Sequence, residues 1–273
     1  FSASCARASA DDLGEWLAFA LSACDEADVV ALHHFRRDLD VMTKPDRSFV
    51  TVADQAIERL IRDRIQARFP DHGLVGEEYG DVAGRGSARW YIDPIDGTHN
   101  YIRGVPLFGT LLALEVEGEI QVGVLSAPAL RERWYASRGG GAWAVGAAGS
   151  EGPRRIRVSR VSSLADAQIL YGSAAELDAS GKVPGFRPLL QSVWRERGFG
   201  DFWGYALLAE GAAEAMVEVD AKTWDLAAPL VLIEEAGGRL TDFGGARRID
   251  GLEMVASNGL LHDEVLARLR TAE

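Results

Sequence analysis

Two aspartates three residues apart, Asp93 and Asp96, are the part of this sequence most suited to chemistry. They follow an apolar run that is typical of a buried strand delivering its C-terminal end to a site. Pro94 can continue neither a strand ladder nor a helix interior, so the chain must turn there and both carboxylates can face one cleft. Gly97 and Thr98 come next, where the free N–H groups of a helix start favour an anion. Carboxylates for hard cations beside an anion cradle are what metal-assisted phosphate hydrolysis requires.

Two further carboxylates, Glu77 and Asp225, also stand at the ends of apolar segments. Asp225 opens a predicted helix, so on its own it could equally be an N-cap, and Asp93 on its own could be a turn residue at a strand end. The set of four favours a cation site. Because the ligands are all oxygens, Mg²⁺ suits the site better than Zn²⁺. No Cys or His nucleophile motif is present, which favours direct attack by a water that the metal activates.

Composition narrows the class of protein. The chain has 273 residues, of which 47% are hydrophobic and 26% charged, as expected for one large globular domain or two fused subdomains. A formal net charge of −12 argues against nucleic acid as a partner. The sequence contains no run of about 18 apolar residues, so no membrane-spanning helix is predicted, and no signal peptide is evident. Cys5 and Cys24 lack metal-binding spacing and are predicted to be free thiols in a reducing cytoplasm.

The elements that must position these residues form a mixed α/β pattern. Helices are predicted near 11–35 and 53–69, strands at 74–76 and 89–94, and an antiparallel meander over 107–137. The second half alternates strands at 156–158, 168–172, 215–219, 239–241 and 253–257 with helices near 185–196, 203–212, 223–236 and 260–270. A boundary near 150–160 would divide the chain into an N-terminal α+β subdomain, 1–155, and a C-terminal α/β subdomain, 156–273, which together make one catalytic domain.

Three segments in order resemble the signature segments of the inositol monophosphatase family, which are Mg²⁺-dependent phosphomonoesterases. They are Gly76-Glu77-Glu78, Asp93-Pro94-Ile95-Asp96-Gly97-Thr98 and Trp224-Asp225-Leu226-Ala227-Ala228-Pro229. The resemblance covers roughly 10–270 and implies a layered αβαβα sandwich of α/β class. The family acts on phosphate esters, so a small phosphate ester is the expected partner. The protein is further expected to be a cytoplasmic homodimer. Trp134, Trp143, Trp194 and Trp203 include candidates for a dimer face, with core packing as the alternative.

The resemblance assigns roles position by position. Two or three Mg²⁺ ions would be held by Glu77, Asp93, the Ile95 carbonyl, Asp96 and Asp225. Gly97 and Thr98 would bind the phosphate through their backbone N–H groups. Asp54, Thr98 and Glu77 would be catalytic, with Thr98 and Asp54 paired to activate the attacking water. Lys44 matches a family position near the metal and the phosphate.

In this family, residues shortly before the third motif contact the alcohol part of the substrate. Inositol phosphatases usually carry Gly-Ser-Ala-Ala where this chain has Gly200-Asp201-Phe202-Trp203, and a carboxylate there suits a cationic leaving group. This segment, with Tyr205, Arg103-Gly104-Val105-Pro106 and Ser257 to His262, is similar to the branch that hydrolyses histidinol phosphate. Asp201 and Glu218 would bind the ammonium and imidazole, with Tyr205, Arg103 and Lys44 also near the substrate.

Other interpretations remain open at this point. Asp201 could cap the helix 203–212, and Glu218 could be a strand-edge carboxylate. An inositol phosphate or a broad range of sugar phosphates is the alternative substrate, followed by nucleotides such as adenosine 3′,5′-bisphosphate. An alternative of another class is a non-catalytic binding or regulatory subunit, which the presence of all four carboxylates with Thr98 and Asp54 disfavours.

Overall fold

A computed structural model describes residues 8–37, 41–43, 49–146 and 152–271. Lys44 and Cys5 lie outside these residues. The helices within them are α1 (Ala10–His34), α2 (Val52–Arg68), α3 (Thr98–Ile102), α4 (Ala174–Ser180), α5 (Phe186–Gln191), α6 (Asp201–Ala209), α7 (Thr223–Glu235) and α8 (His262–Arg270). None of the helices in the described ranges combines the length and apolar character that crossing a bilayer demands.

Two large sheets organise the chain. The strands are β1 (Val41–Thr43), β2 (Phe49–Thr51), β3 (Gly73–Gly76), β4 (Ala88–Asp96), β5 (Gly109–Val116), β6 (Glu119–Ala127), β7 (Glu132–Ser137), β8 (Gly141–Val145), β9 (Arg154–Ile156), β10 (Gln168–Tyr171), β11 (Arg195–Arg197), β12 (Ala215–Val219), β13 (Arg239–Asp242) and β14 (Glu253–Ser257). The first large sheet has the spatial order β3-β4-β5-β6-β7-β8-β9, and the second has the order β11-β10-β12-β14-β13. The first sheet is antiparallel except for the parallel pair β3–β4.

Helices cover both faces of each sheet. α1 and α2 pack on one face of the first sheet, α6 and α7 lie between the two sheets, and α4, α5 and α8 cover the outer face of the second. This αβαβα layering confirms the predicted fold class. The first sheet ends in sequence with β9 at Ile156 and the second begins with β10 at Gln168. One core spans both sheets through α6 and α7, and the predicted division into subdomains near 150–160 stays a prediction.

Both faces of the first sheet are apolar. Successive side chains along each strand point to opposite faces, and helices cover each of these faces. In β4, Trp90 and Ile92 pack towards α1 and α2, while Tyr91 packs towards α7. The approach of α7 is close: a Cβ added at Gly123 of β6 would lie 2.6 Å from Val231 of that helix. A sheet covered on both sides holds the end of β4 and the start of α7 in fixed relative positions.

Several predicted elements differ from the structure. The meander over 107–137 continues through two further strands, β8 and β9, so Gly139 to Gly141 connects strands of one sheet. The helix predicted at 185–196 ends at Gln191, because residues 195–197 pair in parallel with β10 instead. The helix predicted at 203–212 is α6. In each case sheet pairing or a turn overrides the local periodicity.

His262, within the segment that resembles the histidinol-phosphatase branch, is a structural residue. It is fully buried at the start of α8 and bridges two neighbouring strands. Its Nδ1 lies 2.8 Å from Ser257 Oγ and its Nε2 lies 2.8 Å from Thr241 Oγ1. Since the Thr241 hydroxyl already donates to the Asp242 carbonyl, it accepts from a protonated Nε2. Burial lowers the pKa of His262 to about 4.

This lowered pKa predicts that His262 destabilises the fold in acid. Between pH 6.5 and 4 the unfolded chain binds a proton that the folded chain does not, so the free energy of unfolding falls as the pH falls. His262 lowers the free energy of unfolding by about 3 kcal/mol in total once the pH is below 4, and it has no such effect well above pH 6.5. Urea unfolding from pH 7 to pH 4 should show a shallower pH dependence for His262→Gln than for the wild type. The exposed His33→Gln is the matched control and should keep the wild-type slope.

Candidate active site

Three carboxylates converge where β4 ends and α7 begins. Asp93, Asp96 and Asp225 each offer an oxygen, and these oxygens all lie within 4.8 Å of one another. β4 runs through Pro94 as far as Asp96, so the turn predicted at Pro94 is wrong. The register of β4 against β5 shifts between Asp93 and Asp96, and this irregularity accommodates the proline within the strand. Asp225 is not the N-cap of α7, because that position is Lys222; it accepts the Lys222 N–H at 2.7 Å from one turn inside the helix. The structure thus brings together three of the predicted metal ligands.

The electrostatics of this cluster are those of a cation site. Burial, followed by the charge of Glu77, raises the pKa of Asp93 well above its usual range, and burial with the charge of Asp201 does the same for Asp96. Burial raises the pKa of Asp225 to about 7. Asp93 is 2% exposed, and its Oδ1 has no hydrogen-bond partner among the described residues. Like charges and an unpartnered buried oxygen both become favourable once a hard cation binds, so these residues fit Mg²⁺.

Glu77 borders the same cluster from the neighbouring strand. It follows β3, which pairs in parallel with β4, and its N–H donates to the Ile92 carbonyl at 3.3 Å. Its negative charge raises the pKa of Asp93, Asp54 and Asp225, which means that it faces all three. The carboxyl ends of two parallel strands therefore supply the acidic groups on one side of the site.

Asp54 and Thr98 each have a partner other than the one predicted. The Asp54 carboxylate accepts the Thr51 N–H at 2.8 Å and the Thr51 hydroxyl at 2.5 Å, as part of the capping box of α2. The Thr98 hydroxyl donates to the Ile95 carbonyl at 2.9 Å. Burial raises the pKa of Asp54 to about 6, and its Oδ1 is buried without a hydrogen-bond partner among the described residues. One oxygen of Asp54 is therefore committed to the helix and the other is available.

Gly97 needs to be glycine for two reasons. It precedes α3 with φ +80°, a conformation that side chains rarely adopt. A Cβ there would lie 2.9 Å from the Leu107 carbonyl oxygen and 3.4 Å from Asp201 Oδ2. The bare backbone at the start of α3 therefore lies beside the cleft, at the position predicted for the phosphate.

A cavity of about 310 Å³ adjoins the cluster and is lined by both halves of the chain. Asp201 and Glu218 both line it, as predicted for substrate-binding residues. Burial raises the pKa of Glu218 to about 8, and it raises the pKa of Asp201 as well. Tyr205 is buried and donates from its hydroxyl to Glu218 Oε2 at 2.6 Å. Tyr205 therefore holds Glu218 in place from outside the cavity lining, and its predicted direct contact with substrate stays a prediction.

Asp201 links the cavity to the acidic cluster through the backbone. It is the first residue of α6, has φ +55° and accepts from Asn100 Nδ2 at 3.2 Å. Its side chain makes no cap hydrogen bond, and the N-cap position is Gly200, so the alternative of Asp201 as a helix cap is wrong. The following N–H, that of Phe202, donates to Asp96 Oδ2. The unusual backbone at Asp201 thus turns one residue to the cavity and the next to the cluster.

Other predicted residues lie elsewhere. Arg103 is exposed after α3 and does not line the cavity formed by the described residues, so its contact with substrate stays a prediction. Of the four tryptophans, Trp134 is buried and Trp203 lines the cavity, while Trp194 is 66% exposed. Sequence reasoning missed several lining residues, among them the polar side chains of His99, Asn100 and Glu176. The first two directly follow Thr98, so their closeness to the phosphate motif was an available signal.

Comparison with known proteins agrees with this geometry. The inositol monophosphatase family model matches residues 12–273. The chain is 43% identical over 254 residues to a histidinol-phosphatase of Mycobacterium tuberculosis, covering 93% of this chain and 97% of that protein. It is 44% identical over 250 residues to a histidinol-phosphatase of Streptomyces coelicolor, covering 90% and 93%. The solved structure of a Thermotoga maritima IMPase superposes with a TM-score of 0.82 at 32% identity, covering 93% of this chain and 96% of that chain.

The fold, the acidic cluster and the adjoining cavity define a metal-dependent phosphoric monoester hydrolase. This chain belongs to the inositol monophosphatase family, because the family model and the relatives span nearly its whole length. The family and the enzyme class predicted from three short motifs are confirmed. The alternative of a non-catalytic subunit has no support from a missing carboxylate, since all of those predicted are present.

Proposed function

We propose that this protein hydrolyses histidinol phosphate to histidinol and phosphate, a step of histidine biosynthesis. The observation that carries the proposal is the cavity beside the acidic cluster, which is lined by two partly buried carboxyl groups, Asp201 and Glu218. The leaving alcohol of the substrate would occupy this cavity. Burial raises the pKa of both carboxyl groups, and a cationic alcohol would favour their charged form, whereas a neutral polyol would offer no counter-ion. The two relatives named histidinol-phosphatase support the same substrate.

The roles proposed for the acidic residues follow from their positions. Glu77, Asp93, the Ile95 carbonyl, Asp96 and Asp225 would hold two or three Mg²⁺ ions. When bound, Mg²⁺ supplies charge neutralisation of the phosphate and a lowered pKa of the attacking water. The free Oδ1 of Asp54 is a suitable acceptor for a proton of that water, since burial raises its pKa to about 6. Thr98 and Gly97 would contact the phosphate oxygens through their backbone.

The proposal is tested by phosphate release in Mg²⁺ from histidinol phosphate, inositol 1-phosphate and adenosine 3′,5′-bisphosphate at equal concentrations. We expect a strong preference for histidinol phosphate in kcat/KM. A preference for inositol 1-phosphate would retain the metal centre and overturn the assignment of Asp201 and Glu218, and the likeness to the Thermotoga maritima IMPase makes this the main alternative. Preference for the bisphosphate would require a second phosphate pocket.

The expected setting is a cytoplasmic homodimer with a small phosphate ester as its partner and neither nucleic acid nor membrane. The free, buried thiol of Cys24 is in keeping with a reducing compartment. The exposed Trp194 is the tryptophan best placed for a dimer face. Light scattering after gel filtration would measure the mass in solution, and a monomer would remove the dimer from the proposal.

A further inference from the structure

A buried ion pair on α2 lies outside the acidic cluster and has no role in the function proposed above. Glu58 is fully buried and Arg62 is 8% exposed, and Arg62 Nε donates to Glu58 Oε1 at 2.7 Å. Burying two charges costs desolvation energy that their attraction rarely exceeds, so stability alone is a weak reason for such a pair. The other contacts of the pair indicate what else it does.

All of these contacts go to the turn that follows Glu77. Glu58 Oε2 accepts the Glu78 N–H at 2.7 Å, and Glu58 Oε1 accepts the Tyr79 N–H at 3.1 Å. Arg62 donates through Nη2 to the Gly80 carbonyl. Three consecutive backbone groups next to Glu77 are therefore held by one pair of side chains on a rigid helix.

The ion pair packs directly against the residue before Glu77. A Cβ at Gly76 would lie 2.2 Å from Glu58 Oε1 and 2.6 Å from Arg62 Nη2. A side chain at this position would therefore displace the two groups that bond to the turn after Glu77. The same helix carries Asp54 one turn before Glu58, so α2 supports two of the acidic groups around the cluster.

We propose that Glu58 and Arg62 are positioning residues that fix the Glu77 carboxylate towards Asp93 and so set the affinity of the site for Mg²⁺. This rests on the proposed function of Glu77 as a metal ligand. The backbone on the C-terminal side of Glu77 is held by the ion pair, and the N–H of Glu77 itself is held by β4. With both sides fixed, little conformational freedom has to be lost when a cation binds.

The test is Mg²⁺ binding by Glu58→Gln, measured by calorimetry and by the Mg²⁺ concentration that gives half-maximal activity. Gln keeps the size of the side chain but loses the charge that pairs with Arg62. We expect Mg²⁺ affinity to fall about 10-fold, the effect typical of losing a group that orients a ligand. At saturating Mg²⁺, kcat and the KM for histidinol phosphate should return to within about 2-fold of the wild type, because Glu58 contacts neither the metal nor the substrate.

Arg133→Gln is the control, since it breaks a partly buried ion pair with Asp28 that joins β7 to α1 and does not contact the turn after Glu77. It should lower the unfolding temperature and leave Mg²⁺ affinity unchanged. If Glu58→Gln behaves in the same way, the pair has only a structural role and the proposal is wrong. Should Glu58→Gln fail to fold, Arg62→Gln provides the same comparison. A wild type that binds Mg²⁺ but does not hydrolyse histidinol phosphate would count against the proposed substrate alone.

Discussion

Asp93→Asn is expected to abolish phosphate release from every substrate while making the metal-free protein more stable. The substitution removes a proposed metal ligand, and loss of such a ligand should cost at least about 10³-fold in kcat. Burial, followed by the charges of Glu77 and Asp96, raises the pKa of the same carboxyl group well above its usual range. An amide at this position removes the cost of holding an ionisable group in buried, acidic surroundings when no metal is bound. A gain of about 1 kcal/mol corresponds to about 2–4 °C in Tm for a chain of this size.

Two measurements check this pair of opposite effects: phosphate release in excess Mg²⁺, and thermal unfolding in a chelator. Glu115→Gln is the control, because Glu115 is also buried but has partners in Arg89 and Tyr91. That variant should lose stability and keep its activity. Near-normal turnover by Asp93→Asn would refute the metal assignment, and a lower Tm without metal would refute the account of its electrostatics.

Asp201→Asn should lower activity on histidinol phosphate much more than activity on neutral phosphate esters. We expect kcat/KM for histidinol phosphate to fall about 30-fold, which is about 2 kcal/mol for a lost charge pair, and that for inositol 1-phosphate to change less than about 3-fold. Asn is preferable to Ala because it tolerates the φ of +55° at this position and can still accept from Asn100. The substitution therefore preserves the backbone conformation in which the Phe202 N–H donates to Asp96.

The control for this substitution is Asp220→Asn. Asp220 has φ +66° and is exposed, so the same chemical change is made in a similar backbone conformation outside the cavity. Both substrates should be hydrolysed at wild-type rates. Equal losses on the two substrates in Asp201→Asn would mean that Asp201 serves the backbone geometry of α6, with no part in reading the leaving group.

Much of this site could be predicted from the sequence because its groups lie at strand ends and in a helix start that local patterns mark clearly. The apolar run before Asp93 and the helix after Lys222 each have a physical signal of their own, whereas the turn expected at Pro94 is wrong because β4 continues to Asp96. The class of fold followed from the alternation of strands and helices. Their meeting in space, by contrast, came only from resemblance to a known family, since spacing along the chain carries no such information.

Features that depend on tertiary contacts could not be predicted from the sequence. The strand over 195–197 forms because β10 offers an edge, and its own residues do not favour it. The role of Glu58 was hidden for a related reason: a glutamate and an arginine four apart on a helix are typical of a solvated surface pair. Only the burial of that pair beneath Gly76 reveals its contacts with the turn after Glu77.

The division of the acidic cluster between β4 and α7 has a consequence for how the protein is made. Asp93 and Asp96 leave the ribosome long before Asp225, and the whole of β5 to β12 is synthesised in between. A growing chain therefore carries an incomplete set of ligands until α7 docks between the sheets. A metal cation that needs the whole cluster is therefore expected to stabilise the finished enzyme and not the earlier stages of its folding.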